Sequence, residues 1–81
     1  MSAEAGQRLA LLLSELFLLP VEQVTDDLSK DTVEMWDSLN HLELVLALET
    51  EFDVTLSTDE ILEMVNYPII KAILREHGIT V

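Results

Sequence analysis

The chain has 81 residues, 40 of them apolar, and sets sixteen acidic side chains against four basic ones for a formal charge of −12. Such a length holds a single domain, 1–81, with a small core, and so apolar a composition excludes a disordered acidic tail. The charge repels nucleic acid and anionic membranes and favours basic partners, the lack of cysteine excludes disulfides, thiolate metal sites and cysteine nucleophiles, and no apolar run approaches a membrane span.

Sixteen leucines outnumber twelve valines plus isoleucines and four aromatics, while Gly occurs only at 6 and 78 and Pro only at 20 and 68. Good helix formers with few breakers predict an all-α fold, a small four-helix bundle with a long loop after helix 1 and a short third helix. The first helix is predicted from about Ala3 to Leu19, with Leu9, Leu12, Leu13, Leu16 and Phe17 on one apolar face and Pro20 as its stop. Leu11 and Leu18 fall off that face and are expected to meet another helix.

Between Pro20 and Trp36 the periodicity breaks. Val21, Val24, Leu28 and Val33 are spaced by Asp26, Asp27, Asp31 and other polar residues, which reads as a loop pinned to the core, with one helical turn at most. Loops of this length in a small domain are often functional. The second helix is predicted from Asp37-Ser38 to about Phe52, with Asp37 as N-cap. Val54-Thr55-Leu56 has no obvious partner and is assigned to a loop. Ser57-Thr58-Asp59-Glu60 reads as a capping box opening the short third helix, to about Val65. Pro68 suits the first turn of the fourth, where Ile69, Ile70, Ile73 and Leu74 form the buried face, Lys71 and Arg75 lie opposite, and Gly78 is the stop.

Charge is concentrated. Residues 26–63 hold twelve acids and only Lys30 as base, a net −11. Within this half, a wheel at about 100° per residue sets Leu44, Val45, Leu48 and Phe52 on one side of the second helix and Leu39 and Leu46 on the opposite side. The expected core set is Leu42, Leu44, Val45, Ala47, Leu48 and Phe52. Leu39 and Leu46 are then exposed near Glu43 and Thr50, as a docking surface for a basic, apolar-centred partner would require. The competing arrangement buries this helix on most sides.

Ser38 stands out as a residue opening a helix after a long loop, where free N–H groups and the helix dipole favour an attached phosphate. It is a candidate phosphorylation or phosphoester site; the plainer reading makes it a helix cap. A hydrolase triad of Asp37, Ser38 and His41 is rejected, because the acid adjoins the serine rather than the far side of the imidazole and no oxyanion loop is present. His41 is expected to face solvent. Asp27, Ser29 and Asp31 imitate the start of a calcium loop, but Thr32 and Ser38 stand where Gly and Glu are needed, so no specific metal site is expected. Trp36 is expected to plug one end of the bundle, and Met35 and Met64 to fill the core.

Asp37-Ser38-Leu39, followed by Glu43-Leu44 and by Ala47-Leu48-Glu49-x-Glu51-Phe52, resembles the acyl carrier proteins over nearly the whole chain. The resemblance implies a 4′-phosphopantetheine arm on Ser38, transferred from coenzyme A by a phosphopantetheinyl transferase using magnesium. The arm's thiol would hold an acyl group as a thioester, and the protein itself would catalyse nothing. The resemblance also implies a partner face made of Asp37, Leu39, Glu43, Leu46, Glu49 and Glu51, joined by Glu60. The partners would be the transferase and acyltransferase, ligase or ketosynthase-type enzymes with basic docking surfaces.

Met35-Trp36 before the motif, His41 and Thr50 depart from the fatty-acid-synthesis pattern. Trp36-Asp37-Ser38-Leu39 looks more like the stand-alone carriers of polyketide (including antibiotic) or other specialised biosynthesis. A discrete, monomeric, cytoplasmic carrier is therefore expected. The alternatives are a fatty-acid-synthesis carrier, an aminoacyl or peptidyl carrier and, in a different class, an acidic helical adaptor with no prosthetic group.

Overall fold

Residues four apart share a helix face, and Leu9, Leu13 and Phe17 use that spacing to reach the centre of the molecule, each at most 1% exposed. Full burial of side chains this size contributes about 1.5–3 kcal/mol apiece. The computed structural model describes residues 2–81. Among these the chain forms α1 (Ser2–Phe17), α2 (Ser38–Phe52), α3 (Thr58–Glu63) and α4 (Tyr67–Glu76), with one 3-10 turn at Val21–Gln23. The Cα radius of gyration is 11.5 Å, close to the roughly 12 Å of a folded chain this long. No helix among the described residues is long and apolar enough to cross a membrane.

α1 and α2 run antiparallel. Arg8 near the start of α1 meets Glu51 near the end of α2, and Phe17 at the end of α1 stacks on Trp36 just before α2, with ring centroids 4.9 Å apart. α1 stops at Phe17, two residues earlier than its apolar pattern suggests. The residue before a proline disfavours helical dihedrals, so the chain must leave the helix ahead of Leu19-Pro20. Leu18 does so in the left-handed region at φ 56°, and the Leu19 N–H reaches back to the Ser14 carbonyl at 3.0 Å. The Ser14 hydroxyl also donates to the Leu19 carbonyl. α2 closes the same way through Asp53 (φ 52°), with Val54 N–H to Glu49 O at 3.3 Å. α4 closes through Gly78 (φ 88°), with Ile79 N–H to Leu74 O at 2.9 Å.

The helix starts follow local chemistry. The Asp37 side chain accepts from Asn40 N–H, and at α3 both halves of the Ser57/Glu60 capping box are formed. At α4 the cap is Asn66, which the sequence pattern does not single out, and Pro68 sits in the first turn. Ile70, Ile73 and Leu74 are buried as expected, joined by Tyr67, while Ile69 is half-buried.

The long loop is pinned by Val24, Leu28 and Val33, all buried. It is also tied to the α3–α4 connection by an isolated antiparallel bridge between Ser29 and Asn66, in which Lys30 N–H donates to Val65 O at 2.8 Å and Tyr67 N–H to Leu28 O at 3.0 Å. Lys71 pairs with Asp26 at 2.7 Å and lies over the Tyr67 ring, adding a third tie. Ser29 and Thr32 spend their hydroxyls on a local turn, and no group of three or more metal-ligating acids or histidines forms among the described residues.

Several expected core positions are corrected. Leu11, Leu18, Val21, Met35 and Leu42 are all exposed. Leu11 and Leu18 lie off the α1 face that carries Leu9, Leu13 and Phe17 into the centre. Met35 lies in a turn whose inward place is taken by Trp36. Leu42 lies beyond the edge of the α2 core face. Ala47 is half-buried at the opposite edge, and Met64 is fully buried as expected.

Candidate functional site

Ser38 is the first residue of α2 and is exposed. It does not cap the helix; Asp37 does, with Oδ1 2.9 Å from Asn40 N. Among the described residues no hydrogen bond engages the Ser38 hydroxyl, and the N–H groups of Ser38 and Leu39 are the open first donors of the helix. Asn40 adds a second tie, its Nδ2 donating to Met35 O at 2.6 Å. The serine is therefore a free hydroxyl on a helix start fixed by its neighbours.

Behind it, Trp36 is buried and donates from Nε1 to His41 Nδ1 at 3.0 Å; His41 Nε2 lies 2.8 Å from Ile61 O on α3. An indole N–H can only donate and a carbonyl can only accept, so Nδ1 carries the lone pair and Nε2 the proton. His41 is thus a half-buried strut joining the loop, α2 and α3, not a solvent-facing residue. Both of its nitrogens are occupied, so it offers no base to Ser38. The signal was in the spacing: positions 41, 44, 45, 48 and 52 share one face of the helix.

On the opposite face of α2, Leu39 is 69% exposed, Leu46 60% and Leu42 58%. The stripe is wider than Leu39 and Leu46 alone. Glu43 lies within it, exposed and without a hydrogen bond or ion pair among the described residues.

The other acids assigned to a partner face have work inside the fold. Asp37 is the α2 cap. Glu49 is half-buried and its Oε2 accepts from Leu56 N–H at 2.9 Å, which holds the α2–α3 loop. Glu51 is gripped by Arg8 through Nε at 2.8 Å and Nη2 at 2.5 Å, and its carbonyl also accepts from Nη2. Glu60 completes the α3 capping box and faces His77 Nε2 at 2.9 Å. The structure thus leaves Glu43, Leu39, Leu46 and Leu42 together as one free surface and does not add Glu49, Glu51 or Glu60 to it.

The proton affinity of the Glu60 carboxyl is lowered by its surroundings. The Ser57 N–H, and after it the His77 side chain, hold its pKa below the ordinary 4.5, while partial desolvation acts the other way. A depressed carboxylate contributes stability that is fully present above its unfolded-state pKa and lost as pH falls through its folded one. The stability gap between the native chain and Glu60→Gln should therefore shrink as pH drops below 4.5. Paired urea melts from about pH 5 to pH 3 measure this, and a gap that widens over that range would refute the assignment.

Between α1 and α2 runs an open groove of about 590 Å³. Leu11 and Leu12 line one wall, and Leu46 and Ala47 the other. The Arg8–Glu51 pair stands at one end, Glu15 and Glu43 at the other. Compared with protein-family models and with curated proteins, the chain matches none.

Proposed function

We propose that the chain is an acyl carrier protein whose Ser38 is the attachment point for a 4′-phosphopantetheine arm. The observation that carries this reading is the state of Ser38: an exposed hydroxyl with no hydrogen bond among the described residues, at a helix start whose capping is done by Asp37. The residues present fit a phosphodiester, because the two open N–H groups and the positive end of a 15-residue helix favour a negative charge there. When attached, the arm supplies a thiol that holds cargo as a thioester.

The chain's own part is to present the serine and to be recognised. Asp37 and Asn40 fix the first turn of α2, and the Trp36–His41–Ile61 strut sets its position against α3. The Leu39, Leu42 and Leu46 stripe with Glu43 offers a transferase or an acyl-handling enzyme an apolar contact beside a steering charge. In this reading the chain catalyses nothing. The Trp36-Asp37-Ser38-Leu39 run supports a carrier of polyketide or other specialised biosynthesis over one of fatty-acid synthesis.

The adaptor alternative, in which Ser38 only caps a helix, loses its main support because the Ser38 side chain caps nothing. Incubation with coenzyme A, magnesium and a promiscuous phosphopantetheinyl transferase should raise the intact mass by one phosphopantetheine. Ser38→Ala should abolish the gain without altering helical circular dichroism. No gain with the native chain, or a gain that survives in Ser38→Ala, overturns the proposal.

A further inference from the structure

Leu11 is the crest of an exposed ridge on α1. It is 51% exposed and lines two depressions: the groove toward α2 and, on its other side, an open furrow of about 370 Å³ lined by Gln7, Ala10, Leu11 and Val21. Gln7 is the only polar residue of these four. Arg8 and Glu15, both exposed, flank Leu11 at spacings of three and four residues and so share its face. Arg8 holds Glu51 through Nε and Nη2. A guanidinium has five N–H groups, and the two on Nη1 have no partner among the described residues. Glu15 forms no hydrogen bond or ion pair among them either.

We propose that this face binds a second copy of the chain, α1 against α1 and antiparallel about a two-fold axis, each Leu11 seated in the other copy's furrow. Self-complementarity selects this occupant. A two-fold pair presents the same patch twice, so every contact occurs twice. Arg8 and Glu15 lie about 10 Å apart along the helix, with their midpoint between Leu11 and Leu12. An axis through that midpoint sets Arg8 of each copy opposite Glu15 of the other, so free Nη1 meets free carboxylate at both ends. Charge argues against other occupants. Residues 26–63 carry −11 of the −12, so a basic partner is drawn to that half, while nucleic acid and anionic membranes are repelled by the whole. On the α1 face Arg8 offsets Glu15, and two acidic copies meet there with least opposition.

The contact involves far fewer than the roughly 20–30 residues a side of a stable interface. The pair is therefore transient, with a dissociation constant of about 0.1–1 mM, where the sequence alone predicts a monomer. Ser38 takes no part, so pairing needs no arm on it.

Sedimentation equilibrium of the native chain from about 20 µM to about 1 mM tests this. The average mass should climb toward that of a dimer, and climb further in about 0.5 M salt, because screening shortens the reach of −12 against −12. Amide shifts that move with concentration should fall on α1 and residues 21–23. Leu11→Glu should hold the mass at that of a monomer and leave the melting curve in place, since Leu11 is exposed. Glu15→Lys and Glu34→Lys reduce the net charge equally at exposed positions. Glu34→Lys should tighten the pair slightly, whereas Glu15→Lys should loosen it about fivefold or more by setting a cation against Arg8.

A nitroxide on Glu4→Cys reads the register, because the chain has no other cysteine. Mixed with isotope-labelled native chain, it should broaden amides near Leu18 and Leu19 of the labelled copy rather than those near Glu4. The proposal is overturned by a monomeric mass at about 1 mM in high salt, or by concentration-dependent shifts confined to α2, α3 and α4. Association unchanged in Leu11→Glu, broadening near Glu4, or a Glu15→Lys chain that pairs as tightly as Glu34→Lys overturns it as well.

Discussion

Replacing Trp36 by alanine is expected to cost about 3–5 kcal/mol of folding stability, a large part of the roughly 4–12 kcal/mol that a domain of this length possesses. Trp36 is 2% exposed, stacked on Phe17 at 4.9 Å, and is the residue through which the long loop closes the α1–α2 end of the core. Alanine leaves a cavity there, strips Phe17 of its partner and removes the donor to His41. Few other core side chains can shift to fill the gap, because Phe17 and the helix start at Asp37 are both held by hydrogen-bonded turns. Urea denaturation followed by circular dichroism measures the change. A loss below about 1 kcal/mol would place Trp36 outside the core.

His41→Ala should cost about 2–3 kcal/mol, more than a half-exposed polar residue on a helix surface normally would. The cause is what it leaves behind: a buried indole N–H with no acceptor and an Ile61 carbonyl with no donor. A cycle with Trp36→Phe separates these effects. Phenylalanine removes the indole donor, so His41→Ala in that background should cost about 1 kcal/mol less than in the native chain. Equal costs in the two backgrounds would mean that the Trp36–His41 hydrogen bond contributes nothing. In the carrier reading, the same variant should load its arm more slowly, because the helix start that presents Ser38 loses its tie to α3.

Features written in a few adjacent residues were legible in the sequence. The capping box at Ser57-Thr58-Asp59-Glu60, the Asp37 cap, the leucine face of α1 and the exposure of Leu39 and Leu46 each depend on spacing within one helix. What the sequence hid depends on partners far along the chain. Glu51 looks like one more surface acid until Arg8, 43 positions away, closes on it. Glu49 needs the α2–α3 loop to fold back before its carboxylate finds the Leu56 N–H.

His41 was hidden differently. Its position on the wheel puts it among Leu44, Leu48 and Phe52, but a histidine in a core face is credible only once a buried indole and a carbonyl are seen to use both its nitrogens. Leu42 was misplaced because a wheel angle at the edge of a face does not say how far the neighbouring elements reach.

The small bridge between Ser29 and Asn66 bears on how the molecule assembles. Most hydrogen bonds in this fold join residues a few positions apart, so the helices can form early, in about a microsecond once nucleated. The bridge instead joins positions 37 apart, and bringing such distant points together carries an entropic cost of roughly 3 kcal/mol that no local contact offsets. Contacts of that kind set the pace of folding in small domains. The expected order of events is helices first and loop last, with Trp36 and the start of α2 reaching their final places when the loop lands on the α3–α4 connection. In the carrier reading, a transferase that requires Ser38 in its native setting is expected to act on finished molecules and to pass over partly folded ones.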